Sequence, residues 1–133
     1  MTLRLKDSAL LVVLVLLFVA ILLSVTGELL LKHGVNQLGV LELRSDNLVP
    51  VFIRVFTNPF VLLGFIFLFG GSIFWLSMIS RGPLSYAYPM LSTSYILVLG
   101  ASWLFLGEQI NPVQIIGVLV IMLGVSLVFW SNQ

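Results

Sequence analysis

Four long runs of apolar residues constrain this chain more than any other feature of its sequence. The first extends from Ser8 to Leu31, which at about 1.5 Å per residue is long enough to cross the roughly 30 Å hydrocarbon core of a bilayer. Of the 133 residues, 60% are hydrophobic and only 8% are charged, a balance that a soluble domain with a charged surface does not reach. We therefore predict an all-α integral membrane protein with a single domain.

Several functions are excluded by the residues that the chain lacks. It contains no cysteine, which rules out disulfides and thiolate chemistry, and its single histidine, His33, leaves little scope for a metal site. A net charge of +1 does not favour nucleic acid as a partner. The sequence also offers no nucleophile–base or acid–base constellation. We therefore predict neither an enzyme nor a bound metal or cofactor.

Proline and glycine divide the chain into a predicted bundle of four transmembrane helices. Asn58-Pro59 and Asn111-Pro112 each supply an N-cap residue followed by proline at the first helical position. Gly34 suits the C′ position after the first helix. The predicted helices comprise residues 8–33, 59–80, 84–106 and 112–130. Because the number of spans is even, both termini lie on one side of the membrane.

The distribution of Lys and Arg does not predict the orientation of the bundle in the membrane. Orientation follows the Lys/Arg bias of the loops next to the spans. Here the two sides are equal: Arg4, Lys6 and Arg81 lie with the termini, and Lys32, Arg44 and Arg54 lie opposite. Both orientations therefore remain open.

The connection formed by residues 35–58 carries the densest charge in the chain and allows two interpretations. One is a solvated loop. The other is a short helix after Asp46-Asn47 that lies in the headgroup plane, with Phe52 and Phe56 dipping into the membrane and Arg54 facing phosphates. The sequence leaves both open.

Two pairs of glycines predict sites of close helix packing. Gly64 and Gly71 lie two turns apart on the second predicted helix and favour a close helix contact there. Gly117 and Gly124 have the same spacing on the fourth helix, which suits a packing seam between molecules.

Glu28 is the only acid within the apolar runs, and an acid at membrane depth is by default a functional residue. Ser24, Glu28 and Lys32 are spaced four residues apart and form one polar stripe. A plain intrahelical ion pair between Glu28 and Lys32 is the alternative. If the span is Ser8–Leu31, Glu28 lies about 12 Å from the midplane, so that two copies in antiparallel orientation place their carboxylates about 24 Å apart.

The third predicted helix carries a second polar face, formed by Tyr88, Ser92 and Tyr95. Pro89 lacks an N–H to donate, which frees a carbonyl and favours a kink. Both features suit a solute path, while an aromatic belt with hydroxyls bonded to their own helix is the alternative. Because four helices of this length cannot easily enclose a solute, we predict at least a dimer.

Four groups of residues together form the pattern of a known family. They are Ser24-Val25-Thr26-Gly27-Glu28 with Lys32, then Ala87-Tyr88-Pro89-Met90-Leu91-Ser92, then Leu106-Gly107-Glu108, and finally Ile115-Ile116-Gly117 with Gly124-Val125. This pattern resembles the four-helix, EamA-like branch of the drug/metabolite transporter superfamily, and it covers all four predicted helices. Within that branch the chain is most similar to the paired subunits that flip aminoarabinose-phosphoundecaprenol, and less similar to the small multidrug resistance pumps.

The resemblance implies a small flippase or flippase subunit of the bacterial inner membrane. It would work as a homodimer, or as a heterodimer with a similar four-helix subunit, on a polyprenyl-phosphate that carries a sugar. On this hypothesis Lys32 and Arg54 meet the phosphate, while Glu28 and Ser24 meet the sugar. The residues lining the route would be Tyr88, Ser92 and Tyr95. The prenyl tail would remain in the membrane lipid.

The chain differs from the pattern of the multidrug pumps at two positions. Tyr88 falls where the pumps have a substrate-contacting tyrosine, but Leu91 replaces their bulky aromatic residue. If Lys32 is matched to their lysine at the end of the first helix, their membrane-centre glutamate falls on Ser24, one turn before Glu28.

Two further functions remain as alternatives. The first is a proton-coupled exporter of cationic amphiphiles, in which Glu28 releases its proton to bind the drug. The second is an assembly subunit that transports nothing and stabilises a membrane glycosyltransferase. In that case the glycines of the fourth helix would matter and the polar stripe would not.

Overall fold

The computed structural model describes residues 7–131, and it contains six α-helices and one π-helical turn. Arg4 and Lys6, which enter the charge comparison above, lie outside the described residues. The helices are α1 (Asp7–Leu38), α2 (Leu48–Thr57), α3 (Pro59–Ile79), α4 (Leu84–Leu91), α5 (Ser94–Ala101) and α6 (Pro112–Ser131), with a π-helix at Ser102–Leu106 between α5 and α6. Within this part of the chain there is no β-strand. The prediction of an all-α protein is confirmed.

Three helical segments among residues 7–131 are long and apolar enough to cross a membrane. They are Leu11–Leu38, Pro59–Ile79 and the interrupted segment Ala87–Leu106. The apolar stretch Pro112–Val128 of α6 is shorter. Three of the four predicted spans therefore have the length and composition of membrane helices.

Helix α1 continues to Leu38, beyond its predicted end at residue 33. Gly34 does not end the helix because it lies against α3, where an added Cβ would approach Val61 Cγ2 to 2.7 Å. The terminating residue is Gly39, whose φ of 79° requires glycine and whose N–H donates to the carbonyl of Val35 at 3.1 Å. Packing thus extends α1 by more than one turn.

Glycines bring α1 and α3 into backbone contact. A Cβ added to Gly27 would lie 2.8 Å from the carbonyl oxygen of Gly64, and one added to Gly64 would lie 2.9 Å from that of Gly27. Gly71 meets Ser24 in the same way, with 2.9 Å between its added Cβ and the hydroxyl oxygen. Approach this close is how small residues hold helices together in lipid. Helices α1 and α3 form the tightly packed hairpin on which the rest of the structure is arranged.

The buried core lies along one stripe of α1. Val13, Leu17, Ile21 and Val25 recur every four residues and pack with Met78 of α3 and Ala87 of α4. By contrast, α5 and the π-helix contribute no buried residue to the described structure. These two elements therefore contribute less to the core than the α1–α3 hairpin, although Val98 of α5 packs against it.

The predicted N-caps of α3 and α6 are confirmed. The side-chain oxygen of Asn58 accepts hydrogen bonds from the N–H groups of Phe60 (2.9 Å) and Val61 (3.2 Å). Asn111 accepts from the N–H of Val113 at 3.0 Å, and the Gln114 side chain accepts from the N–H of Asn111 at 2.8 Å. The second arrangement is a reciprocal capping box.

The third predicted helix is interrupted after Pro89. Pro89 lies inside α4, which ends at Leu91, and α5 begins at Ser94. At the break, the Thr93 hydroxyl donates to the carbonyl of Met90 at 2.6 Å, and the Thr93 N–H donates to the same carbonyl at 3.1 Å. The interruption therefore falls at Ser92 and Thr93, one turn after Pro89.

A helix does form in the charged connection. One face of α2 is entirely apolar and consists of Leu48, Val49, Phe52, Ile53 and Phe56. The Phe52 and Phe56 rings stack at 4.9 Å, and Phe56 in turn stacks on Phe65 of α3 at 5.5 Å. The segment thus contains a helix, while its location in the headgroup plane stays a prediction.

Candidate functional site

A cavity of about 280 Å³ lies between α1 and the α5–π segment. Its polar lining comes from Glu28 and Lys32 on α1, Ser102 at the start of the π-helix, and Glu108 just after it. Its apolar lining consists of Val25, Leu29, Val98 and Leu106. The cavity thus joins part of the predicted polar stripe to the end of the third predicted helix.

Lys32 and Glu108 form an ion pair across this cavity. Lys32 Nζ lies 3.6 Å from Glu108 Oε1, and the two side chains are 52% and 47% exposed. Glu108 follows Gly107, whose φ of 66° ends the π-helix, and the Glu108 N–H donates to the carbonyl of Ser102 at 3.3 Å. An ion pair this exposed contributes about 0–1 kcal/mol to stability, so a ligand can displace it.

Glu28 is exposed to the cavity and is not the ion-pair partner of Lys32. Within residues 7–131 its carboxylate makes neither a hydrogen bond nor a salt bridge. The alternative of a plain intrahelical pair between Glu28 and Lys32 is therefore not what the structure contains. Lys32 instead reaches the opposite wall of the cavity, and Glu28 is left as an acceptor without a cation.

The formal charge of this cavity is negative. One lysine faces two glutamates, Glu28 and Glu108, so the three formal charges leave one negative charge uncompensated. Because Lys32 is already paired, an incoming cation meets an available carboxylate, whereas an incoming anion must first compete with Glu108. A cationic or zwitterionic group fits this arrangement better than a simple anion.

Ser24 is separated from the other two residues of the stripe. It lines a second cavity of about 180 Å³, together with Gly71, Ser72, Trp75 and other residues of α1, α3 and α4. Ser24 and Glu28 therefore face different spaces in this structure.

The contacts between α1 and α3 give the position of Glu28 along the length of α3. Gly71 faces Ala20 and Ser24, and Gly64 faces Gly27 and Leu31. Interpolation between these contacts puts Ser24 level with residue 69, the middle of Pro59–Ile79. Glu28, one turn further, then lies about 6 Å from mid-height. The predicted distance of about 12 Å is measured from the middle of Ser8–Leu31 and the distance of about 6 Å from the middle of α3, so the two distances refer to different helices.

The three polar residues of the third predicted helix do not share one cavity. The Tyr88 ring makes an edge contact with Trp75 at 5.8 Å, and the Ser92 hydroxyl donates back to the Tyr88 carbonyl at 3.5 Å. Tyr95 lines a cavity of about 350 Å³ between α5 and α6, which also includes Ser102 and Glu108. Of the three, only Tyr95 lies next to the Glu28 cavity.

Arg54 and the glycines of α6 lie elsewhere. The Arg54 guanidinium on α2 donates to the carbonyl of Leu38 at 3.5 Å and lines none of these cavities. Gly117 lines the α5–α6 cavity, and a Cβ added to Gly117 or Gly124 meets no described atom within 4 Å. Neither glycine is thus used for packing within the described part of this copy.

Ser102 and Glu108 are the residues of this site that the sequence does not assign to it, although Glu108 belongs to the family pattern. For Glu108 a signal exists in the predicted topology. In an up-and-down bundle the first and third helices end on the same side, so Lys32 and the acid after the third helix are brought to one level. Glu108 was therefore identifiable as a partner for Lys32.

Comparison with known proteins supports the resemblance. The model of the EamA-like transporter family matches residues 7–130. A protein of Yersinia pestis (strain Pestoides F), named as a probable 4-amino-4-deoxy-L-arabinose-phosphoundecaprenol flippase subunit ArnE, is 43% identical over 60 residues, which are 45% of this chain and 53% of the relative. The protein of the same name from Aeromonas salmonicida (strain A449) is 39% identical over 70 residues, or 53% and 61% of the two chains.

These alignments span only about half the length of the curated relatives. No solved structure matches the chain.

Proposed function

The chain belongs to the EamA-like transporter family, and we propose that its substrate is a polyprenyl-phosphate carrying an amino sugar, which it flips across the membrane. The observation that carries this proposal is the cavity between α1 and the α5–π segment, where Glu28, Lys32, Ser102 and Glu108 converge. The names of the relatives from Yersinia and Aeromonas point to the same substrate class.

Each polar residue has a role in the proposed step. The Lys32 ammonium binds the phosphate, the Glu28 carboxylate and the Ser102 hydroxyl bind the sugar, and the prenyl tail stays in lipid. Ser24 would meet the sugar further along its path, since it lies level with the middle of α3. The remaining predicted contacts would be Tyr88, Ser92 and Tyr95 along the route, and Arg54 at the headgroups.

We propose that the chain crosses the bacterial inner membrane four times. The spans would be α1, α3, the segment from α4 to the π-helix, and α6, with both termini on one side. Helix α2 would lie in the interface, since its apolar face contacts the first turns of α3 through Phe56 and Phe65. Gly117 and Gly124, where an added Cβ meets no described atom within 4 Å, would face a second subunit, either identical or a similar four-helix chain.

The placement of α2 can be tested with spin labels, because the chain contains no cysteine. Single cysteines at Val49, Phe52 and Ile53 are expected to place the label in the acyl region, where oxygen relaxes it more than a water-soluble nickel chelate does. Labels at Pro50 and Arg54, on the other face, should show the reverse. Equal access of the nickel chelate to both sets would mean that α2 is a solvated helix.

The flippase proposal is tested with proteoliposomes that contain the full chain, with and without a second four-helix subunit of the family. An amino-sugar polyprenyl-phosphate is loaded in the inner leaflet, and an impermeant oxidant added outside reports the arrival of the sugar. We expect translocation above that of protein-free vesicles. Flipping of an unglycosylated phospholipid serves as the specificity control.

Two outcomes would contradict the flippase proposal and support one of the alternative functions. Absence of lipid flipping, together with uptake of cationic dyes and proton release that disappears in Glu28→Gln, would identify a proton-coupled exporter. Absence of any transport, with loss of a glycosyltransferase when Gly117 and Gly124 are enlarged, would identify an assembly subunit.

A further inference from the structure

We propose that Glu108 selects substrates that carry an amine, by exchanging Lys32 for the ammonium group of the substrate. In the structure Lys32 Nζ pairs with Glu108 Oε1 at 3.6 Å. When a zwitterionic headgroup enters, its phosphate takes Lys32 and its ammonium takes Glu108. This inference rests on the proposed function and adds to it a residue that sets substrate specificity.

Charge balance favours this exchange over the binding of a phosphate alone. The cavity holds one lysine and two glutamates, so it already carries an uncompensated negative charge. A phosphate without an amine would remove Lys32 from Glu108 and add a further negative charge beside two carboxylates. A headgroup that brings one positive and one negative charge pairs with Lys32 and Glu108 without changing the total.

The exposure of the Lys32–Glu108 pair allows the substrate ammonium to take the place of Lys32. Both side chains are about half exposed, so the pair is solvated and weakly held. Both remain able to make new contacts without first being brought out of a core. The carboxylate of Glu28, which has no cation among the described residues, lies on the same cavity and can share the ammonium.

The backbone around Glu108 can follow such a rearrangement. Glu108 follows the π-helix and Gly107, which has a left-handed backbone conformation with φ of 66°. The π-helix and α5 contribute no fully buried residue in the described structure, and of these two elements only Val98 of α5 packs against the core cluster. Short π-helical turns occur frequently at functional sites.

The size of the cavity fits a headgroup and not a whole lipid. A volume of about 280 Å³ is close to the lower limit of roughly 300 Å³ for small-molecule sites. The prenyl chain therefore remains outside, and recognition depends on the charged groups of the sugar phosphate.

The test compares two lipids in the same proteoliposomes: the amino-sugar polyprenyl-phosphate and its N-acylated counterpart, which lacks the positive charge. The quantity measured is the ratio of their translocation rates. We expect the wild type to favour the amine and Glu108→Gln to lower the ratio roughly tenfold, because one charged hydrogen bond is lost. Glu108→Asp should restore much of the preference. The control is Glu42→Gln, which removes a loop carboxylate that pairs with Arg44 at 3.6 Å, away from the cavity.

The outcomes separate this inference from the proposed function. A wild type that flips both lipids equally, or a Glu108→Gln variant that keeps the wild-type ratio, overturns the role of Glu108 and leaves the flippase intact. A wild type that flips neither lipid overturns the proposed function itself. A fall in the ratio for Glu42→Gln as large as that for Glu108→Gln would also count against a specific role for Glu108.

Discussion

Lys32→Ala is expected to slow translocation of the lipid-linked sugar roughly 10- to 100-fold. Among the described residues, Lys32 is the only cation that lines the cavity between α1 and the α5–π segment, and the proposed phosphate contact is a hydrogen bond to a charged group. Loss of such a bond costs about 1.5–3 kcal/mol, which corresponds to this range of rates if the contact persists in the transition state. Initial rates in proteoliposomes at saturating and at low substrate concentration measure the effect.

The control for Lys32→Ala is Arg44→Ala. Arg44 also forms an exposed 3.6 Å ion pair, with Glu42, but it lies in the connection before α2 and lines none of the polar cavities. Its removal should leave the rate unchanged, and Lys32→Arg should retain part of it because the positive charge remains. Glu28→Gln is expected to lower the translocation rate as Lys32→Ala does, since it removes the carboxylate proposed to bind the sugar. Wild-type rates in both variants would sink the assignment of this cavity.

Gly27→Leu is expected to break the packing of α1 on α3. The added Cβ would lie 2.8 Å from the backbone oxygen of Gly64 and 2.9 Å from Leu68 Cγ, and the rest of the leucine needs still more room. Since the backbone cannot yield as a flexible side chain does, the helices must separate. Overpacking of this kind costs about 1–3 kcal/mol or more, although removing a glycine from a helix returns up to about 1 kcal/mol.

The matched control is Gly100→Leu. Gly100 is also helical, but no described atom lies within 4 Å of its added Cβ, so only the gain in helix propensity should remain. Unfolding in increasing SDS, followed by circular dichroism, should show Gly27→Leu less stable than the wild type and Gly100→Leu at least as stable. Equal midpoints for the two variants would mean that the α1–α3 contact is looser than it is here.

Features set by local chemistry are the ones that the sequence predicts well. The Asn58 and Asn111 caps follow from residue type and the adjacent prolines, because a cap satisfies N–H groups of its own helix. The family resemblance also rests on short local motifs, and the match over residues 7–130 agrees with it.

Features that depend on contacts between distant residues are predicted less well. The end of α1 is one example, because Gly34 reads as a helix terminator until α3 is packed against it. The Lys32–Glu108 pair is another, since the nearer partner Glu28 satisfies the local i, i+4 rule and conceals the partner 76 positions later. The position of the interruption in the third predicted helix is a third, because Pro89 predicts a kink and the break lies one turn later, at Ser92 and Thr93.

The register of α1 against α3 bears on how two copies would cooperate. With the middle of α3 taken as the midplane, two oppositely inserted protomers would hold their Glu28 carboxylates about 12 Å apart along the membrane normal. A substrate leaving one carboxylate would need to advance by only about eight residues of helix rise to reach the other. In such a pair the substrate would bind the two carboxylates one after the other, and would pass from one subunit to the other as it crosses the bilayer.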